Sequence, residues 1–263
     1  MCAVQKHVPV STVRGPVDHC TVLQYSAFSG NPTVNKPDRL YHFTMAKHAL
    51  DDLRNRRLKI AQFDDLNDPF ELKSVNLCNP VHAQAFDGIE KKNFEGFKAT
   101  VAQHWGVLCF TEEKTDVLQW AHYADRHKGI CLGFDVSGSQ GKFGRVKYRT
   151  TRFPFPEKPD VGFSWNLLST KSKDWAYEKE WRVFLELKDS VWNEGAGRML
   201  YFADFGPELV LQDVILGATC KTSVSEVLQA MQGYAETVRI ARMRLSCSRF
   251  ELEDYPVNTV EGQ

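Results

Sequence analysis

Glu178 and Glu180 stand two residues apart, just ahead of Arg182, in the stretch Trp175-Ala176-Tyr177-Glu178-Lys179-Glu180-Trp181-Arg182-Val183-Phe184-Leu185-Glu186-Leu187. From Trp181 onward the density of branched and aromatic residues predicts a β-strand. Side chains alternate across a strand, so an extended conformation that starts at Glu178 puts both carboxylates on one face, with Arg182 next in line. Two like charges side by side are unfavourable unless a cation or a polar partner holds them. One reading is an exposed strand end with a surface ion network. The other is a carboxylate pair at the rim of a cleft, one of the two functional. Lys171 and Lys173, just upstream, can pair with these acids or with a phosphate.

Other candidates are spread along the chain. His42 sits in the apolar segment Arg39-Leu40-Tyr41-His42-Phe43-Thr44, as a satisfied core histidine or as a site residue. Residues 116–127 read as a helix capped by Asp116 and closed by Gly129. On it Trp120, Tyr123, Ala124 and His127 make one aromatic face. Such a face is plain core packing, or it offers a tyrosine that stacks on a flat heterocycle. Asn67, Asp68 and Glu71 lie in a turn-rich loop with no second cluster of matching ligands, and the histidines lack zinc spacing, so no metal is expected.

The elements that must position these residues point to one α+β domain over residues 38–255. An arm (1–37) precedes it, holding one short strand near residues 21–25, and a tail (256–263) follows. Predicted strands cover 39–44, 106–111, 129–136, 178–187, 199–204, 209–216 and 237–245, which suggests a mixed, mainly antiparallel sheet. Helices are predicted after Thr44 as cap, over 81–103 with Phe86, Ile89, Phe94, Phe97 and Val101 inward, over 116–127, and over 223–235 with Ser223 and Glu226 at capping-box spacing. Residues 137–163, rich in Gly, Pro and Arg, read as a mobile excursion, and 167–173 as a helical turn. The 263 residues carry 33 basic and 33 acidic side chains, so no broad electrostatic footprint for nucleic acid or anionic lipid is expected, although a local patch remains open. Seven scattered cysteines, no leader and no membrane-length apolar run suggest a cytoplasmic protein with reduced thiols and no membrane partner.

Three motifs carry a resemblance over roughly residues 39–250. Asn67-Asp68-Pro69-Phe70-Glu71, Trp120-Ala121-His122-Tyr123-Ala124 with His127-Lys128-Gly129, and Tyr177-Glu178-Lys179-Glu180-Trp181-Arg182 resemble those of a bacterial family filed as a domain of unknown function, often found near mobile or defence genes. More distantly, the chain resembles ADP-ribosyltransferases. That resemblance implies an ADP-ribosyltransferase-like fold, NAD as cosubstrate and an unknown macromolecular acceptor. Carried over residue by residue, it makes Glu180 catalytic with Glu178 and His42 beside it. His42 and Tyr41 would hold the NAD ribose, Thr111 the middle motif position, and Tyr123 with Trp120 the nicotinamide. It also lets Arg145, Lys147, Arg149 and Arg152 meet the pyrophosphate or a target. The set is mixed, since His at the first position belongs to one branch and E-x-E to another, and Cys109-Phe110-Thr111 replaces the usual middle motif. A non-catalytic nucleotide- or protein-binding module of the same fold is therefore the alternative.

Overall fold

The structure is a computed structural model that describes residues 36–76, 89–139, 141–154 and 161–257. The N-terminal arm up to residue 35, with its expected strand, and Phe86 lie outside these residues. The described strands are β1 (Arg39–Thr44), β2 (Arg57–Ile60), β3 (Val75–Asn76), β4 (Trp105–Thr111), β5 (Ile130–Asp135), β6 (Gly144–Arg145), β7 (Lys147–Arg149) and β8 (Phe153–Pro154). After them come β9 (Thr170–Ser172), β10 (Glu180–Glu186), β11 (Val191–Asn193), β12 (Arg198–Asp204), β13 (Val210–Leu216), β14 (Arg239–Leu245) and β15 (Leu252–Pro256). The helices are α1 (Ala46–Asn55), α2 (Ile89–His104), α3 (Val117–Tyr123), α4 (Val161–Leu168) and α5 (Val224–Ala230).

The chain is α+β. Its main sheet runs β15-β14-β13-β5-β1-β4-β10-β6, with β13 and β14 parallel and the other neighbours antiparallel. Alternation along the strands divides the two faces. Leu40, Leu108, Phe110, Leu132, Phe134 and Val183 pack on one side with α1 and α5. On the other side lie two smaller cores. Phe43, Cys131 and Ile215 pack around Trp120, while Val107 and Phe184 pack with α2 and α4. Strand register places Glu180 opposite Thr111 and Thr111 opposite Tyr41, a polar row between those two cores. Each fully buried Leu or Phe contributes roughly 1.5–3 kcal/mol, so this apolar flank can hold charged groups that would otherwise seek water.

β1 and β4 pair where Tyr41 meets Thr111 and then part. Further along β4, Val107 exchanges both backbone bonds with Ala61, beyond the end of β2. In the gap the ring of His42 stands in for the ladder, with Nδ1 at 2.9 Å from the Cys109 carbonyl. A carbonyl only accepts, so the proton sits on Nδ1 and Nε2 is left as an acceptor.

Several local expectations need correcting. Met45, not Thr44, occupies the N-cap of α1 and makes no side-chain cap bond. α3 ends at Tyr123 instead of His127, because Asp125, Arg126 and His127 all turn left-handed, with φ of 43°, 55° and 66°. That turn brings β5 back alongside β1, its antiparallel neighbour in the sheet. At Gly129 an added Cβ would lie 2.2 Å from the Thr44 carbonyl oxygen and 2.8 Å from the Ala124 Cα. Gly129→Ala should therefore destabilise the chain by about 1–3 kcal/mol, read as a lower urea midpoint with an unchanged slope. Residues 137–163 are not a plain excursion where they are described: β6 pairs with the outer edge of β10, and β7 runs parallel to β9. The turn expected at 167–173 is the end of α4 followed by β9.

Candidate functional site

β10 begins at Glu180, not at Glu178. Glu178 closes a 3-10 turn over Lys173–Glu178, and Lys179 links the two in a left-handed conformation with φ 44°. The two carboxylates still converge, because Lys171 of β9 reaches both: its Nζ lies 2.7 Å from Glu178 Oε2 and 2.9 Å from Glu180 Oε2. On the same face of β10, Arg182 donates from Nε to Glu180 Oε1 at 2.7 Å. Its two terminal nitrogens grip Glu71 at 2.6 and 3.0 Å, and Nη1 also donates to the Leu168 carbonyl at 2.7 Å. The side chains of Arg182, Glu180, Glu178 and Lys171 are 0%, 5%, 4% and 6% exposed, so this is a buried network rather than a surface one.

The two acids differ. Burial pushes Glu180 up, but the Arg182 guanidinium and the Lys171 ammonium outweigh it and hold the carboxyl at about 2. Burial raises Glu178 above the usual carboxylate range, and Lys171 offsets this only in part. Glu180 is thus a fixed negative charge, and Glu178 is the carboxylate that can take up a proton.

The wall opposite comes from α3 and the loop after β2. Tyr123 donates its hydroxyl proton to Glu178 Oε1, and Asn67 Nδ2 donates to the Tyr123 oxygen at 3.1 Å. Gln119 Nε2 donates to the Glu178 carbonyl at 2.9 Å, tying α3 to the turn before β10. Burial, then the nearby Glu178 charge, pushes the Tyr123 phenol far up, so it stays a donor. Tyr148 receives the Glu180 backbone N–H at 2.8 Å. Burial lowers His42, which is therefore neutral near pH 7. Tyr123→Phe removes a hydrogen bond made to the charged form of Glu178. It should raise the Glu178 titration midpoint, followed by carbon-13 NMR of labelled glutamate, and cost about 1–3 kcal/mol.

These groups line a cleft of about 310 Å³ that opens where β1 and β4 part. Of the residues singled out in the sequence, Tyr41, His42, Thr111, Tyr123, Glu178 and Glu180 lie on it. Trp120 does not: it is wholly buried, edge-on to Phe43, with its indole N–H bonded to the Lys114 carbonyl at 2.7 Å. The helical stripe therefore splits, Trp120 going to the core and Tyr123 to the cleft. The basic segment is also elsewhere. Arg145 meets Glu112 at 3.4 Å and Lys147 meets Asn166 at 3.1 Å, while Arg149 and Arg152 line a separate hollow. Sequence reasoning missed Asn67 and Glu71 as site residues, reading their loop as structural. Their place in a motif shared with the other two segments was the available signal. Tyr148 and Gln119 carried none. Among the described residues no group of three or more His, Cys, Asp or Glu is arranged to hold a metal. No described helix is long and apolar enough to cross a membrane.

A model of the family described as "Protein of unknown function (DUF2971)" matches residues 119–183. That span runs from the α3 wall of the cleft through Lys171, Glu178, Glu180 and Arg182. No curated protein and no solved structure matches the chain.

Proposed function

We propose that the chain is an NAD-dependent ADP-ribosyltransferase-like enzyme of ADP-ribosyltransferase-like fold, a cytoplasmic effector of defence or toxin type. It would cleave the nicotinamide–ribose bond and pass ADP-ribose to a macromolecular acceptor. The observation that carries this reading is the convergence of His42, Tyr123, Glu178 and Glu180, from three distant stretches, on one cleft at a parting of the sheet. The cleft volume is at the low end of ligand pockets, roughly 300–1000 Å³, which suits the nicotinamide–ribose half of the dinucleotide. Leu108, Phe110 and Tyr123 offer it flat or apolar surface. Near the rim, Lys59 is available to a phosphate in exchange for Asp65, its partner at 3.0 Å.

NAD supplies a ribosyl carbon whose bond to nicotinamide breaks with the electron pair leaving on the ring, giving an oxocarbenium-like transition state. Glu180, held ionised, faces the charge that develops there. Glu178 accepts the proton released by the attacking acceptor group. Tyr123 braces Glu178 and closes one wall, and neutral His42 offers Nε2 to a ribose hydroxyl. Incubation with NAD tests the reading: wild type should release free nicotinamide.

A second reading rests on a specific observation. Both oxygens of Glu180 are already occupied by Arg182 and Lys171, as suits a purely structural charge in a nucleotide-binding module. That module would bind NAD without releasing nicotinamide.

A further inference from the structure

A second hollow, of about 140 Å³, lies beyond Lys171 and has no part in the chemistry described above. Its rim is built by three short pieces of chain. The loop from Phe70 to Ser74 leads into β3, the connection Thr150–Arg152 leads from β7 into β8, and β9 closes the third side. The small sheets β3–β8 and β7–β9 fix them, through Val75 opposite Phe153 and Arg149 opposite Ser172. Phe153 N also donates to the Ser74 carbonyl at 3.0 Å.

The chemistry of this rim is one-sided. Lys73, Arg149 and Arg152 are all exposed at it, and among the described residues none of the three pairs with a carboxylate. Lys73 Nζ donates to the Pro69 carbonyl at 2.9 Å, a bond that leaves it two further protons. Arg152 lies over the Phe70 ring at 5.3 Å, and Phe70 is 49% exposed. Thr150, Thr151 and Ser172 add hydroxyls. Lys171 contributes its stem, but its ammonium is committed to Glu178 and Glu180. Cations, hydroxyls and an open aromatic ring in one concavity suit a phosphate joined to a flat base. The chain as a whole is neutral, so the feature is a local concentration of charge and not part of a basic surface.

We propose that this second hollow binds the phosphate of a nucleotide, with Arg149, Arg152 and Lys73 on the phosphate and the Phe70 ring, capped by Arg152, beneath the base. Two sources carry that chemistry, a single nucleic-acid strand and a free nucleotide. The proposal stands apart from the reading of the cleft, because it concerns binding and needs no turnover.

The test is binding of three probes at low salt to the full chain: inorganic phosphate, adenosine monophosphate and a labelled single-stranded oligonucleotide. The variants are Arg149→Gln with Arg152→Gln, Phe70→Ala, and Arg249→Gln as a surface control outside the hollow. All alter exposed side chains, and thermal melts check that the fold is kept. The double variant should weaken adenosine monophosphate or oligonucleotide at least tenfold, and Phe70→Ala should weaken either without affecting inorganic phosphate. For the oligonucleotide, losing two contacts should flatten the slope of log affinity against log salt by roughly 1.4. Oligonucleotide binding that exceeds the mononucleotide's points to a nucleic-acid strand, and equal binding to a free nucleotide. The proposal fails if no probe binds, if the double variant binds like wild type, or if Arg249→Gln loses as much affinity as the double variant.

Discussion

Arg182→Gln is expected to lower the free energy of unfolding by about 3–5 kcal/mol, the usual cost of removing one partner from a buried ion pair. At roughly 2–4 °C per kcal/mol for a chain near this size, the melting temperature should fall by about 6–20 °C. The reason is geometric. The guanidinium has no exposed surface, and it bridges Glu180 on its own strand to Glu71 on a loop far away in sequence. Without it Glu71 loses its two charged bonds, and Glu180 keeps only Lys171. The pH dependence follows from Glu180, held at about 2 when folded, against roughly 4.3 unfolded. A carboxyl depressed on folding stabilises fully above its unfolded pKa and loses that contribution as pH falls through the folded one. Wild type should therefore lose stability between roughly pH 4.5 and 2. Arg182→Gln should lose less over that interval, since Glu180 no longer has its main cation. Urea titrations of both proteins at several pH values measure this. Equal stability at neutral pH would mean that the network does not hold the fold.

Glu180→Gln is expected to lower the rate of nicotinamide release from NAD by roughly 10²–10⁴, the equivalent of about 3–5 kcal/mol of transition-state stabilisation. KM should change little, because the charge it answers develops only as the bond breaks. This substitution spares the fold better than Arg182→Gln does: Lys171 keeps Glu178 and Arg182 keeps Glu71. Turnover lost by a variant that still melts cooperatively above the assay temperature places Glu180 in catalysis. Nicotinamide release by the variant at the wild-type rate would remove Glu180 from the mechanism. Absence of release from both proteins, with NAD still bound, would favour the binding module.

Much of the frame was legible because it rests on local periodicity. The runs around Leu40, Leu108, Leu132 and Val183 announce core strands, and Ser223 with Glu226 forms the predicted capping box. The carboxylate pair was legible as a pair, and so was Arg182 as its partner. The failures came where tertiary contacts override local pattern. Glu178 leaves the strand because Lys179 turns left-handed, yet it meets Glu180 through Lys171, a contact that alternation does not describe. Trp120 and Tyr123 share a helical stripe but diverge, since α3 crosses the boundary between a core and the cleft. Glu71 joins the site across more than a hundred residues; its motif marked it, but no local periodicity reports the contact with Arg182. Short strands such as β7 and β9 exist only as each other's partners, so neither carries a signal of its own.

The buried network has one further consequence. It sets two cations, Lys171 and Arg182, against three carboxyl groups, Glu71, Glu178 and Glu180, so with all three ionised its sum is negative, and with Glu178 protonated it is zero. The field deep in the cleft therefore welcomes the electron-poor end of an incoming molecule and repels its anionic end, which must trail toward the mouth and water. A molecule charged oppositely at its two ends is sorted head from tail on arrival, before any bond specific to it has formed.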